Sequence, residues 1–292
     1  MQCNICPRKC NIDRNINRGF CNSGFQIKIS RAAPHFWEEP CISGTNGSGT
    51  VFFTGCSLKC VFCQNYEISH FDNGKTVTQE ELLKIFDSLV KTGVHNINLV
   101  TPSHYSLEIC NALKNFNSPV PVVWNSSGYE NVETLKMLEG LVDIYLPDIK
   151  YYDGNISLKY SGAENYFEYC SSAVKEMFRQ VGNLKLNKNG IAEKGLLIRH
   201  LVLPGNISQS FKVLDFISEN FPEETAISIM SQYVPYGEAI DIPPLNRRTT
   251  AREYKMVKQR ALELGFQNLY LQSLESAEKT YIPHFNDESI DL

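Results

Sequence analysis

The stretch Thr50–Asn65 reads TVFFTGCSLKCVFCQN, a short β-rich run followed at once by three cysteines, Cys56, Cys60 and Cys63. β-Branched and aromatic residues in TVFF predict a strand, so the cysteine loop hangs from the strand's C-terminal end. No fourth cysteine follows nearby. Structural zinc sites and closed iron-sulfur clusters are completed by four protein ligands, so three thiolates leave one metal position open. If the metal is a 4Fe-4S cluster, three irons are held by the protein and the fourth takes an outside ligand, by the open-site logic of catalytic zinc. The rival is zinc with a remote fourth ligand, Cys41 or His70.

Downstream of this loop the pattern alternates. Thr78 with Glu81 forms a capping box before ELLKIFDSLVKTG, whose apolar spacing marks an amphipathic helix closed by Gly93. Strand-like runs recur at Ile97–Val100, Val120–Trp124, Leu141–Leu146, Leu196–Leu203, Ala226–Met230 and Leu269–Leu271. Helical patterns separate them near 104–116, 131–139, 157–181, 209–220 and 249–264. Strands alternating with helices imply parallel strands with right-handed crossovers, hence an open or closed α/β barrel.

In such a barrel functional groups sit at the C-terminal ends of the strands. That rule nominates Asn98 and Thr101, then Asn125 and Ser126 in WNSSGY, Asp148 and Lys150 in YLPDIK, Arg199 in LIRHLVLPG, and Gln232 in MSQYVPY. Asp148 and Lys150 are two apart, so an extended chain aims both at one face. Arg199 and His200 are adjacent and cannot both face the interior; Arg199 is expected inside and His200 outside. His104 reads as a helix-start residue, and no catalytic residue is assigned.

Upstream, residues 1–31 carry Cys3, Cys6, Cys10 and Cys21, the four ligands that a closed tetrahedral site requires. A segment this short needs its metal to fold, and zinc or a single rubredoxin-like iron suits it better than a second cluster. It also holds Arg8, Lys9, Arg14, Arg18, Lys28 and Arg31 against Asp13 alone. The preferred explanation is local, with these cations offsetting the negative four-thiolate site, rather than nucleic-acid binding. Residues 30–49 are rich in Gly, Ser and Pro and read as a connection. The expected organisation is therefore a Cys-rich segment and linker over 1–45, a barrel over 46–275, and a polar, acidic tail over 276–292.

At 292 residues, 42% hydrophobic and 21% charged, the chain suits one barrel of about 250 residues with a small appendage. No apolar run approaches the ~18 residues of a membrane span, and MQCNICPRKC lacks the apolar core of a signal peptide. A cytoplasmic protein is expected, with its ten cysteines reduced. Seven fall in the two clusters; Cys110 and Cys170, in helical patterns, read as small buried apolar residues.

The C-x3-C-x2-C spacing with Phe62 before the last cysteine resembles the signature of the radical S-adenosylmethionine (SAM) superfamily. The chain is most similar to its glycyl-radical-activase branch, in the uncharacterised group called pyruvate formate-lyase activating enzyme-like. The stretches that carry this are CPRKC, ISGTNGSGTVFFTGCSLKCVFCQNYEIS, NLVTPSHY, WNSSGY, LPDIKYYD, KYSGAENY, IRHLVLPG, MSQYVPY and NRRTTAREY. The resemblance implies a partial (β/α)6 barrel of TIM type, a 4Fe-4S cluster on Cys56, Cys60 and Cys63, and SAM on the open iron. Reductive cleavage of SAM then yields a 5′-deoxyadenosyl radical that abstracts hydrogen from a substrate. It also implies Phe62 near adenine, and Asp148, Lys150 and Arg199 as the family's DxK and Arg-bearing strands. Two departures stand out: where many relatives carry a Gly-Gly-Glu-like contact to SAM this chain reads LVTPSHY, and the simplest activases lack the four-cysteine segment.

Three functions compete. The first places a glycyl radical on a partner protein, with electrons from a low-potential donor such as flavodoxin or ferredoxin. The second modifies RNA, a peptide or a small molecule, and the third is a non-catalytic iron-sulfur carrier or sensor.

Overall fold

Runs such as INLV, VVWNS, IYLP and AISIM are buried at every residue, the mark of strands covered on both faces. In the computed structural model, which describes residues 2–273 and Phe285, the first elements are β1 (Ile27–His35), α1 (Pro40–Ser43), β2 (Ser48–Phe53), α2 (Tyr66–His70) and β3 (Lys75–Val77). Then come α3 (Gln79–Lys91), β4 (Ile97–Val100), α4 (Ser106–Leu113), β5 (Val122–Ser126), α5 (Val132–Lys136), β6 (Ile144–Pro147), α6 (Gly154–Ser161) and α7 (Tyr166–Val181). The chain continues through β7 (Lys185–Leu186), β8 (Ala192–Leu201), α8 (Ser210–Asn220), β9 (Ala226–Met230), α9 (Ala251–Glu263) and β10 (Leu269–Leu271).

The sheet runs in the order β10-β9-β8-β6-β5-β4-β2-β1-β3, with β7 beside β8. Neighbours from β2 through β10 along this path are parallel, whereas β1 is antiparallel to both β2 and β3. The result is an α/β fold on an open, mixed sheet, consistent with a partial barrel; its parallel portion holds seven strands where the resemblance implied six.

Period-two alternation sorts the strand residues into two cores. Val51, Leu99, Trp124, Tyr145 and Ile198 point outward and pack with the helices, Phe86, Leu135 and Met177 among them. Val123, Ile144, Leu146, Leu197 and Ala226 point inward and meet Cys41 and Ile42 of α1. Each fully buried side chain of this kind stabilises by about 1.5–3 kcal/mol. The helix α1 thus plugs the lumen from below.

The expected connection over residues 30–49 is corrected here. It carries the end of β1 and all of α1, and β1 pairs with β2 from Ile29 to His35. Gly and Ser mask the strand because these residues match two neighbouring strands and a lumen plug rather than an amphipathic pattern. The single helix expected over 157–181 is two, α6 and α7, broken at Gly162, whose φ of 59° favours glycine. The short elements α2, β3 and β7 escaped the reading, having too few residues for a period. The tail over 276–292 lies outside the described residues except Phe285, whose ring meets Phe52 at 5.5 Å between centroids.

Candidate functional site

The loop after β2 is set by contacts on both sides. Gly55 has φ 92°, and a Cβ there would stand 2.4 Å from the carbonyl oxygen of Cys21 and 2.5 Å from Ser23 Oγ, so only glycine fits. His104, in the turn before α4, donates through Nε2 to Thr54 O at 2.8 Å; burial pushes its pKa down to about 4, so it is a neutral brace for the loop. Backbone bonds from Val61 to Tyr160 O and from Ala239 to Val61 O fix the far side.

The three thiols of Cys56, Cys60 and Cys63 line one pocket with Phe62, Thr101, Asn125, Ser126, Asp148, Lys150, Arg199 and Gln232. Phe62 is wedged between Tyr151 and Tyr233, each 6.1 Å away and edge-on. Ser126 reaches the rim, but its hydroxyl turns outward to donate to Glu130 at 2.8 Å. Asn98 is not among the pocket residues; it is fully buried on β4, one inward position below Val100, with both amide atoms unpartnered. Arg199 faces the lumen, and His200 faces the helices, bonded to Ile149 O at 2.7 Å and Ser210 Oγ at 2.8 Å.

A chain of ion pairs crosses the lumen. Lys150 donates to Asp148 at 2.6 Å and Arg199 Nε to Asp148 at 2.8 Å, while Arg199 Nη1 reaches Glu38 at 3.0 Å. Burial alone would raise Asp148, but the charges of Arg199 and Lys150 outweigh it and hold the carboxyl below its ordinary range. Burial would likewise lower Lys150, yet Asp148 and the Cys60 thiol hold it above its usual value. Glu38 and Glu39 escaped the sequence reading. The only signal was a pair of acids before Pro40 in a stretch read as linker, and no period marks a residue that enters a barrel from outside it.

Burial, then repulsion by Cys60 and Cys56, pushes the Cys63 thiol up to about 12. Thiols pushed up in this way ionise only beside a cationic partner, and an iron-sulfur cluster would supply one. Three thiols on one pocket leave a metal position open, which suits a cluster better than a closed four-ligand zinc site. Neither remote zinc ligand joins them. Cys41 is buried in the lumen plug, and His70 stacks on Tyr66 at 3.9 Å. Cys110 and Cys170 are buried in the outer core, as small apolar residues are.

At the N-terminus the four cysteines face one another. Cys6 feels Cys21, Cys3 and Cys10, and the Cys10 and Cys21 sulfurs lie 3.3 and 3.6 Å from the position of a Cβ on Gly19. Their cations are spent differently from the expectation. Arg8 donates to the carbonyls of Ser57 (2.7 Å), Ser161 (2.8 Å) and Gly162, and Arg18 and Lys28 pair with Asp72. Burial raises the Cys21 thiol above its usual value, and the Arg14 guanidinium offsets only part of that.

A parallel α/β scaffold with three thiols after one strand, and charged groups at the ends of the others, defines an enzyme built around an open metal centre. Residues 50–206 match the model of the radical SAM superfamily, and the chain belongs to that superfamily, whose members bind a 4Fe-4S cluster and SAM. It is 33% identical to the uncharacterized protein MJ0674 of Methanocaldococcus jannaschii over 90% of this chain and 74% of that protein. It is 24% identical to MJ0808 of the same organism, over 97% and 85%. Among solved structures it resembles Streptococcus suis SuiB bound to S-adenosylmethionine (TM-score 0.50, 15% identity) and HydG, a maturase of the [FeFe]-hydrogenase (0.51, 15%). Those likenesses concern the fold; they cover 76% and 77% of this chain, which spans about half of each, 49% and 52%. No helix among the described residues is long and apolar enough to cross a membrane.

Proposed function

We propose that this radical SAM enzyme is of the glycyl-radical-activating kind, acting on a glycine of a partner protein with a flavodoxin- or ferredoxin-like electron donor. The observation that carries the chemistry is the meeting, in one pocket, of the buried Cys56 and Cys60, the half-buried Cys63 and the ion-pair chain through Lys150, Asp148 and Arg199. When bound there, the cluster supplies the electron that splits SAM into methionine and a 5′-deoxyadenosyl radical. The chain's own residues orient the cofactor: Lys150 and Arg199 offer N–H donors to its carboxylate, Asp148 an acceptor to its ribose, and Phe62 an apolar wall to adenine. What supports a protein substrate is the resemblance along nearly the whole sequence. RNA is disfavoured because Arg8, Arg14, Arg18 and Lys28 are engaged within the chain.

Residues 1–45 are proposed to bind a second metal, zinc or a single iron, and to serve the barrel over 46–275 as a folded docking surface. The test is anaerobic reconstitution, reduction with SAM present, and tracing of hydrogen into 5′-deoxyadenosine. The expected result is release of 5′-deoxyadenosine carrying deuterium from a protein labelled at glycine. Label arriving from RNA or a small molecule would replace the substrate class, and a loaded, reduced protein that leaves SAM intact would favour a carrier or sensor.

A further inference from the structure

Residues 36–39 follow β1 and cross beneath the lumen, so Glu38 and Glu39 enter the barrel from outside its strands. Glu39 accepts a bond from Ser228 Oγ at 2.8 Å, and burial raises its pKa. Glu38 is engaged on both oxygens: Oε1 accepts from Asn125 Nδ2 at 3.0 Å and Oε2 from Arg199 Nη1 at 3.0 Å. Asn125 closes the triangle, its Oδ1 accepting from Arg199 Nη2 at 2.7 Å. The Arg199 guanidinium is therefore held at all three nitrogens, by Asp148, Glu38 and Asn125, and its side chain is only 12% exposed.

A guanidinium has five N–H groups. Three are spent, which leaves one on each terminal nitrogen, in a pocket that also holds Lys150 and the three thiols. Such N–H groups can donate to a carboxylate, and they do so well only if the guanidinium plane is fixed beforehand. Asp148 cannot fix it alone, because it is shared with Lys150; without a second acid the guanidinium would turn toward Asp148 and present its remaining donors elsewhere. We infer that Glu38 is a positioning residue that, with Asn125, braces Arg199 so that its two unspent N–H groups receive the carboxylate of the bound cofactor. Glu38 lies outside residues 50–206, the part of the chain that matches the superfamily, so the brace is supplied by this chain's own N-terminal region.

The inference rests on the reading that the pocket takes SAM, and the test separates the two. Cluster-loaded wild type, E38Q, R199A and the double variant are compared by equilibrium dialysis with SAM and with decarboxylated SAM, which keeps the sulfonium and adenosine but has no carboxylate. E38Q should weaken SAM about tenfold, leave decarboxylated SAM within about twofold, and add nothing once Arg199 is gone. N125A, which removes the other brace, should behave as E38Q does and serves in its place if E38Q does not fold. Equal weakening of both ligands would mean a general structural role, and a further loss in the R199A background would mean that Glu38 touches the ligand itself; either overturns the inference, as does unchanged affinity. Wild type that binds neither ligand overturns the SAM reading along with it.

Discussion

Cys56, Cys60 and Cys63 follow a strand whose six residues are all buried, whereas Cys3, Cys6, Cys10 and Cys21 belong to a segment that, among its described residues before β1, has only an isolated bridge between Gln2 and Asp13. The first group is positioned by the sheet and opens on a pocket with Lys150, Asp148 and Arg199. The second is positioned by what it leans on. Arg8 reaches barrel carbonyls, Asn131 donates to Asn4 O, and Thr134 donates to Ile5 O. Three thiols on a rigid strand end leave room for a ligand, and four thiols in an irregular segment leave none. The difference teaches that two cysteine sets built in different ways are coupled by contact. Cys21 O abuts Gly55 next to Cys56, and Ser161, whose carbonyl Arg8 holds, donates its hydroxyl to Cys60 Sγ at 3.0 Å.

Replacing one set at a time should give the largest contrast. The triple variant C56A/C60A/C63A is expected to lose the 4Fe-4S absorption and all cleavage of SAM. A C3S/C6S/C10S/C21S variant should keep the cluster and cleave SAM with an artificial reductant, while melting at a lower temperature than wild type. Loss of SAM cleavage in a folded, cluster-loaded quadruple variant would break the separation and assign the N-terminal set a direct part in the chemistry.

How much of this was legible follows the same divide. The strands Ile97–Val100 and Ala226–Met230 coincide with the sequence reading because two-sided burial leaves a continuous apolar signature, and Leu269–Leu271, a half-buried edge strand, coincides as well. Adjacent Arg199 and His200 were sorted by the pleat alone, and the helix at Gln79 by its capping box, which the structure contains. Glu38 was illegible because it owes its place to β1 turning back against β2, a long-range pairing with no local pattern. Asn98 was nominated for being polar near a strand end, yet inward residues one pleat lower lie beneath the pocket, and sequence spacing does not measure depth. The work of Arg8 was hidden too, since three carbonyls 49 to 154 residues away leave no trace beside it.

Arg8 offers the next test, of the coupling itself. Its guanidinium lies 3.8 Å over the Phe20 ring while bonding three carbonyls of the loops that hold Cys56 and Cys60. R8A leaves those carbonyls without a charged donor, at a cost of about 1.5–3 kcal/mol for such bonds. Limited proteolysis should then cut within residues 1–26 faster than in wild type, and the cluster's absorption should shift because Ser161 is no longer held against Cys60. R8K, which keeps the charge but not the three-way fork, should resemble R8A more than wild type. An R8A protein with wild-type proteolysis and spectrum would show that the segment is held by its other contacts.

The smallest effect is expected at Arg18, and its smallness is what makes it informative. Arg18 also links the N-terminal segment to the barrel through Asp72, but its side chain is 53% exposed and that of Asp72 35%. Burial would raise Asp72, yet Lys28 and Arg18 together hold it below the ordinary range, and Lys28 remains at 2.7 Å when Arg18 is removed. Exposed pairs of this kind contribute about 0–1 kcal/mol and are screened by salt, so R18A should lower Tm by no more than about 2–4 °C and leave proteolysis of residues 1–26 unchanged. If docking depended on net charge, with the segment's basic residues drawn to an acidic barrel, R18A and R8A would weaken it alike and high salt would mimic both. If it depends on the fixed geometry of one guanidinium among three carbonyls, only R8A releases the segment and salt has little effect. Matching losses in the two variants, both reproduced by salt in wild type, would sink the geometric account and with it the claim that the four-cysteine segment is registered on the cluster loop by contact.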